Sequence, residues 1–396
     1  MKKNWKEITI GDLGQVITGN TPPKKDSENY GGSYPFIKPT DMDIDKRHVT
    51  SWEENYSEKA FKKYKNSYIP PKATGVVTIG TVGQKIFQAD QHCFTNQSVN
   101  VVIPSENYDE DFVFYLLKYN LPKVENANPG TASGRHHVSK SNFCAIKVDV
   151  PNLIIQRKIG AILSVYDDLI ENNLKRIKLL EEKAQRTYEE WFVKMRFPGY
   201  ENAKFDEVTK LPEGWENMKV NFLLEKVKSV TKIKTSDILE RGKIPVIDQS
   251  RNFIAGYTND KTSIIEIFKP LIVFGDHTRC LKFVNFSFAR GADGTQLILS
   301  NNKRMPQHLF YHVLMNIDLS NYHYARHFKF LKECEIILPD FNTSNKYEIV
   351  VKPIFDLIDK FRKQNHLLKE ERDILLPRLM NGIIDVEQLK TETVKV

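Results

Sequence analysis

Apolar positions along the chain follow two rhythms. From Ile155 to Phe192 they recur at spacings of three and four, through Ile159, Ile162, Tyr166, Leu169 and Leu180, with polar Asn173 on the same line. Val350, Ile354, Leu357, Phe361, Leu368 and Leu375 repeat that rhythm near the other end. The spacing predicts two long amphipathic helices with coiled-coil seams, and an Asn in a seam sets register. Elsewhere the apolar runs are short and cut by turn residues, as in Asn20-Thr21-Pro22-Pro23, Gly31-Gly32 and Pro70-Pro71. Gly75 to Gln84 reads as a strand entering a glycine-rich turn, and Asp111 to Tyr119 as a short helix. Ile244–Ile247 and Leu271–Phe274 read as strands, and Gln307 to Met315 as a second short helix. The expected seam residues are Ile162, Tyr166, Leu169, Asn173 and Leu180 on one helix, and Ile354, Leu357, Phe361 and Leu368 on the other.

The same order of elements occurs twice. Asp168-Leu169-Ile170 and Leu179-Leu180 recur 188 residues later as Asp356-Leu357-Ile358 and Leu367-Leu368. Phe114-Tyr115 recurs 196 residues later as Phe310-Tyr311, and Arg135-His136 recurs 191 residues later as Arg326-His327. A drifting offset is what loops of changing length produce between constant cores. The expected fold is α+β: two mixed strand-rich domains separated by two long antiparallel coiled-coil helices, with pseudo-twofold symmetry. The expected boundaries are residues 1–154, a first long helix at 155–192, a second strand-rich domain at 193–344, and a second long helix with a tail at 345–396. About 38 helical residues span ~57 Å. Neither seam is covered by its sequence neighbours, so the helices are expected to pack on each other.

The 396 residues exceed one ordinary core, so two to three domains are expected. No apolar run is long enough to cross a bilayer, and Met1 to Glu7 has charge with no apolar stretch behind it. The expected location is therefore the cytoplasm, with no membrane contact. Cys93, Cys144, Cys280 and Cys334 are widely spaced and form no CxxC pair, which reads as free buried thiols. The net charge is +8. The first long helix carries seven basic and seven acidic side chains, so the excess sits mainly in the strand-rich domains. That distribution favours a polyanionic partner for those domains.

Their loops are rich in groups that hydrogen-bond nucleic-acid edges. The first domain offers Lys38, Thr40, Thr81, Gln84, Asn96, Gln97, Ser133, Arg135 and His136. The second offers Gln249, Arg251, His277, Thr278, Arg279, Arg290, Thr295, Gln296, Arg326, His327 and Lys329. Arg and Lys suit guanine, Asn and Gln suit adenine, and hydroxyls suit phosphates. Any one of these is more often an ordinary loop residue, so the case rests on clustering and recurrence. No Walker loop, dinucleotide fingerprint, zinc spacing or His-Glu-x-x-His is present. Asp168 with Glu181-Glu182-Lys183 faintly matches a nuclease pattern but lies on a charged helix surface. No catalytic centre, metal or cofactor is expected in the chain itself.

Several segments resemble the specificity subunit of type I restriction-modification systems. They include Gly11-Asp12-Leu13-Gly14, Thr18 to Pro23, Pro35 to Pro39, Ile155 to Ile159 and Tyr166 to Asn173. Trp191-Phe192, Arg196 to Gly199, Pro212 to Trp215, Phe274 to Arg279, Gly291 to Gly294 and Leu376 to Gly382 continue the series to the end. The resemblance implies two target-recognition domains that each read one part of a split, asymmetric site in double-stranded DNA. It implies helices that act as a spacer and dock two modification subunits, adenine methyltransferases that bind S-adenosylmethionine. Two restriction subunits using ATP and Mg would complete the complex. The alternatives are an enzyme with divergent motifs, or a non-catalytic coiled-coil scaffold whose strand-rich domains bind proteins.

Overall fold

Both long helices start at a proline followed by a capping side chain. Asn152 Oδ1 accepts from the Ile155 amide at 3.0 Å, and Asp340 Oδ1 accepts from the Thr343 amide at 2.9 Å. Each cap satisfies an amide that the first helical turn would leave open. The central helix then runs Leu153–Tyr188 and passes into a π-helical turn, Glu189–Val193; the C-terminal helix runs Phe341–Met380. This computed structural model describes residues 5–127, 136–228, 230–292, 294–321 and 326–387.

The chain forms two compact units, one of residues 1–175 with 361–396 and the other of residues 176–360. The divisions fall inside both long helices rather than at their ends. The reason is visible in the first unit, where Ile155, Ile159 and Leu163 share one core with Leu376, Leu379 and Met380. Within this unit the helical segments are antiparallel: Lys158 reaches Glu387 O at 2.7 Å, and Asn173 meets Asn365 at 2.8 Å.

In the first unit, Lys6–Thr9 pairs with Lys147–Val150 and ties the chain start to the head of the central helix. Four antiparallel strands follow in the order Gly14–Thr18, Val99–Pro104, Thr74–Val77, Ile86–Gln88. A second sheet holds Glu54–Tyr56, Tyr30–Ile37 and Phe94–Thr95, the last pairing in parallel. The helix Glu110–Tyr119, capped by Asp109, lies behind the first sheet with Phe112 to Leu117 buried.

The second unit repeats this plan with one strand fewer in its first sheet and one more in its second. Glu216–Lys219 pairs with Glu335–Leu338 beside the C-terminal helix. Leu281–Val284, Leu271–Gly275 and Thr295–Ile298 form the first sheet. Gly256–Thr258, Ile244–Ile247, Phe288–Arg290 and Ile264–Ile265 form the second, again with one parallel pairing. The helix Gln307–Met315 takes the place of Glu110–Tyr119. The strands at Thr74–Val77, Ile244–Ile247 and Leu271–Gly275 and the two short helices Glu110–Tyr119 and Gln307–Met315 therefore lie where the apolar rhythm placed them, within a residue or two.

The seam keeps the expected Asn173 and Ile354, which are buried, but otherwise differs from its expected course. Leu169 and Leu357 are 40% and 39% exposed, and Ile162, Tyr166, Leu180, Phe361 and Leu368 are half-buried. The buried line on the central helix is Ile159, Leu163, Ile170, Asn173, Ile177 and Ala184. The physical reason lies further along the helix. The line through Ile162 and Leu169 continues into Arg176 and Lys183, whereas Leu163, Ile170, Ile177 and Ala184 stay apolar. Likewise Leu357 leads to Gln364, Glu371 and Arg378, and the buried line is Val351, Ile358, Asn365, Arg372 and Leu379. Of the cysteines, only Cys93 is fully buried; the other three are half-buried.

The two short helices are mounted differently on their long helices. In the first unit Tyr115 donates from its hydroxyl to the buried Asp167 at 2.6 Å, and Arg372 pairs with the same carboxylate. Gly160 permits close approach, since a Cβ there would come within 2.5 Å of Asp109 Oδ1. In the second unit Tyr311 meets Phe355 with ring centroids 5.9 Å apart, and His308 pairs with Glu348 at 2.7 Å. Burial pushes His312, in the same aromatic cluster, down from its ordinary value to about 4. The unfolded chain then binds a proton that the folded chain excludes. Stability from this source is complete above the ordinary histidine range and is lost as pH falls toward 4. Lowering the pH from 7 to 4 should destabilise the second unit by up to about 3 kcal/mol through His312 alone. His312→Phe should flatten that part of the pH dependence in denaturant melts.

Candidate nucleic-acid interface

In both units the strand in the middle of the first sheet ends in a loop latched by a segment containing histidine. In the second unit that loop is Gly275 to Arg279. Asp276 is buried, and its backbone oxygen accepts from the His327 amide at 3.0 Å. Asp276 Oδ1 accepts from the Phe328 amide at 2.8 Å, and its own amide donates to Gly294 O at 2.6 Å. Gln249 joins a further loop, its Oε1 accepting from the His277 amide at 3.1 Å and its backbone oxygen from Thr278 Oγ1 at 2.6 Å. Four loops distant in sequence thus meet at one surface.

Gln249, Arg251, His277, Thr278, Arg279, Arg290, Thr295, Gln296, Arg326, His327 and Lys329 belong to these loops, to strand ends beside them or to the helix His327–Glu333. They do not all face outward. Arg251, His277, Thr278, Arg279, Arg326 and Lys329 are exposed. Thr295 and His327 are buried, and Gln249, Arg290 and Gln296 are half-buried. Arg290 donates to Thr295 O from Nε at 2.8 Å and from a terminal nitrogen, and burial pushes its guanidinium below its ordinary value. Thr295 Oγ1 bonds to Ala292 O at 3.2 Å. Arg290, Thr295 and His327 shape the loops; the exposed cations are available to a ligand. Arg279 takes a left-handed backbone, φ 61°, and its guanidinium donates to Leu319 O at 3.2 Å. Such a conformation in a non-glycine residue is uncommon and is held by its surroundings.

The first unit builds the corresponding surface with less charge. Thr78 follows the middle strand; its backbone oxygen accepts from the Val138 amide at 2.8 Å, and the Gly80 amide donates to His136 O at 3.0 Å. Asn100 donates to Thr78 Oγ1 at 3.0 Å and accepts from Thr18 Oγ1 at 2.6 Å. Thr21 bonds to Gln97, and the Asn96 amide donates to Ile37 O at 3.3 Å, which gathers the neighbouring loops. Thr40, Thr81, Gln84, Gln97 and His136 are exposed, and Asn96 is half-buried. Lys38 is engaged by Glu53 at 2.9 Å and Glu54 at 3.3 Å. Burial opposes its charge, but the two carboxylates hold its pKa above the ordinary lysine value. Ser133 and Arg135 lie outside the described residues.

Two features escaped the sequence reading. One is a groove beside Thr18 and Asn20, lined also by Gln15, Lys63, Asn66 and Lys140. Its cations come from the helix Glu58–Tyr64 and from Lys140, segments with no recurring motif to mark them. The other is Arg47, which is 1% exposed on its side chain. It bonds to Gln88 Oε1 at 2.8 Å, pairs with Asp111 and reaches Asp168 at 3.5 Å. His48 meets Glu171 at 2.9 Å, and Lys369 meets Asp45 at 2.8 Å. The loop from Asp41 to Val49 is thereby clamped to both helical segments of its unit. Nothing in its sequence distinguishes Arg47 from a surface arginine. Among the described residues no group of His, Cys, Asp and Glu could hold a metal ion, and no helix is long and apolar enough to cross a membrane.

Residues 2–182 match the family described as type I restriction modification DNA specificity domain. The chain is 28% identical to the type I restriction enzyme MjaIX specificity subunit of Methanocaldococcus jannaschii, over 98% of this chain and 95% of that protein. It is 30% identical to the HindI specificity subunit of Haemophilus influenzae, over 45% of this chain and 39% of that protein. The fold is similar to the crystal structure of a type I restriction-modification S subunit from M. genitalium, with TM-score 0.58, 18% identity and 96% of each chain covered.

The split between shaping and exposed residues is measurable. Arg290→Ala should destabilise the second unit by about 1–3 kcal/mol, because it strands a buried carbonyl. Arg251→Ala and Arg326→Ala should each stay within about 0.5 kcal/mol of the parent in thermal melts.

Proposed function

Starting from a chain that belongs to the family of type I restriction-modification specificity subunits, we propose that it reads a two-part, asymmetric site in double-stranded DNA. Each unit supplies one reader. The observation that carries this reading is the recurrence of one loop architecture, at the end of the same strand, with different side chains in the two copies. Two like scaffolds with unlike surfaces suit two different half-sequences. The exposed Arg251, Arg279, Arg326 and Lys329 would supply phosphate and guanine contacts. The first reader, with Thr81, Gln84, Asn96 and Gln97, suits adenine edges and phosphates. Readers facing the same side of the duplex would address segments about one turn apart, ~34 Å. The long helices are of the length needed to set such a gap.

The helices also carry apolar side chains that their own unit leaves uncovered. The first unit exposes Leu169 at 40% and Leu367 at 57%; the second exposes their repeat counterparts, Leu357 at 39% and Leu179 at 64%. Two equivalent apolar patches favour two copies of one partner. In this proposal the partners are two modification subunits, with two restriction subunits completing the assembly in the cytoplasm. S-adenosylmethionine, ATP and Mg would be brought by those subunits. This chain would contribute recognition, and its contacts would hold DNA whose target adenine is flipped out for methylation.

Footprinting with the modification partner present should give two protected segments with an unprotected gap. Arg251→Ala, Arg326→Ala and Lys329→Ala together should weaken binding at every sequence and lower the salt dependence of log K by about 1 per residue. One continuous protected site, or binding insensitive to salt, contradicts the proposal. Leu169→Glu with Leu357→Glu should abolish co-purification of the modification subunit without lowering the melting temperature. Retained co-purification would exclude those patches as the docking surface.

A further inference from the structure

A duplicated chain carries two helices that each have the periodicity to pair with a copy of themselves. The first unit contains polar pairs that forbid it. Asp167, 1% exposed on its side chain, pairs with Arg372, 3% exposed. Nearby, Asn173 Nδ2 donates to Asn365 Oδ1 at 2.8 Å and Gln364 Oε1 at 3.2 Å, and Asn365 Nδ2 donates to Ile170 O at 3.3 Å. The repeat offset of 188 takes Asp167 to Phe355 and Asn173 to Phe361, and takes Arg372 back to Ala184 and Asn365 back to Ile177. Phe355 is the structural counterpart of Asp167, since it meets Tyr311 where Asp167 meets Tyr115. Ala184 and Ile177 are buried as well.

We infer that the Asp167–Arg372 and Asn173–Asn365 pairs are a pairing code that lets the central helix accept only the C-terminal helix. If two central helices met in the antiparallel register of the first unit, Asp167 would face Ala184 and Asn173 would face Ile177. If two C-terminal helices met, Arg372 would face Phe355 and Asn365 would face Phe361. Each self-pair buries two charges that have lost their cross-helix partner, one from each copy, with Tyr115 left to Asp167 and the exposed Asp373 left to Arg372. Losing the cross-helix partner of a buried charge disfavours such a pair by a factor on the order of 100 or more. A single buried Asn can already fix register and partner in a coiled coil. The code commits every assembly to one copy of each reader. The asymmetry of the DNA site follows from it only if the proposed function holds; the pairing itself does not depend on that reading.

The test is an assembly measurement that involves no DNA. A protease site inserted at the exposed Val208, in the linker after the central helix, allows the folded chain to be cut in place. The two parts are then unfolded in urea, refolded together and weighed by native mass spectrometry. The unmodified sequence should return pairs of one part with the other, with self-pairs below about 1% if the factor above holds for each. Asp167→Phe, Asn173→Phe, Asn365→Ile and Arg372→Ala together copy the counterpart residues and should raise self-pairs toward their statistical share. Self-pairs at the statistical share in the unmodified protein overturn the inference, whether or not the fourfold variant refolds. So does a fourfold variant that still forms only unlike pairs.

Discussion

One carboxylate joins three parts of the first unit. Asp167 sits on the central helix, accepts from Tyr115 on the helix behind the reading sheet, and pairs with Arg372 on the C-terminal helix. Burial raises the Tyr115 hydroxyl well above its ordinary pKa, and the neighbouring Asp167 adds to that. Burial works against the Arg372 charge, but Asp167 and Asp373 more than offset it. Removing one member of such a network costs about 3–5 kcal/mol, because it strands a buried charge. The reader and both helical segments are thereby held in one geometry. Arg47, Asp111 and Gln88 extend the network to the loop from Asp41 to Val49, and Glu171 holds His48 at its edge.

The second unit reaches the same mount with rings in place of the Asp167–Arg372 pair, and with the His308–Glu348 contact beside them. Phe283, His308, Tyr311, His312 and Phe355 interlock as rings. Replacing a buried ion pair by packed apolar groups is often neutral or favourable, so stability alone does not explain the polar version. Partner choice does, because a charge pair discriminates where an aromatic cluster tolerates. The loops at the end of the middle strand differ between the two copies. Thr78 and Asp276 latch those loops from equivalent places, and the side chains they present differ in charge. A rigid scaffold with variable loops is the usual arrangement for recognition surfaces.

The fold was largely legible because the repeat constrains it twice. Strands at Ile244–Ile247 and Leu271–Gly275, and helices at Glu110–Tyr119 and Gln307–Met315, follow from local pattern and turn residues. The helical seam was half legible. Leu169 and Leu357 fit the spacing over two turns; on the central helix Arg176 and Lys183 break their line, whereas on the C-terminal helix the buried line also holds polar Asn365 and Arg372. The burial of Asn365 and Arg372 could not be read locally, since each depends on a partner nearly two hundred residues away. The polar loops that meet in the second unit stand out in sequence as a group, but the exposure of each side chain does not. Thr295 and His327 look like contact residues in sequence, yet their backbone and side-chain bonds turn them inward. Asp276 lies within the Phe274 to Arg279 segment, and its latch depends on Gly294, His327 and Phe328, which are distant in sequence.

The central claim is that two unlike readers on one paired-helix frame define one split target. Methylome sequencing of a host that carries this chain with its modification partner tests it most directly. The account predicts methyladenine in a single motif of two short, different half-sequences separated by a fixed, unspecified gap. A continuous motif, or two identical half-sequences arranged as a palindrome, would contradict it.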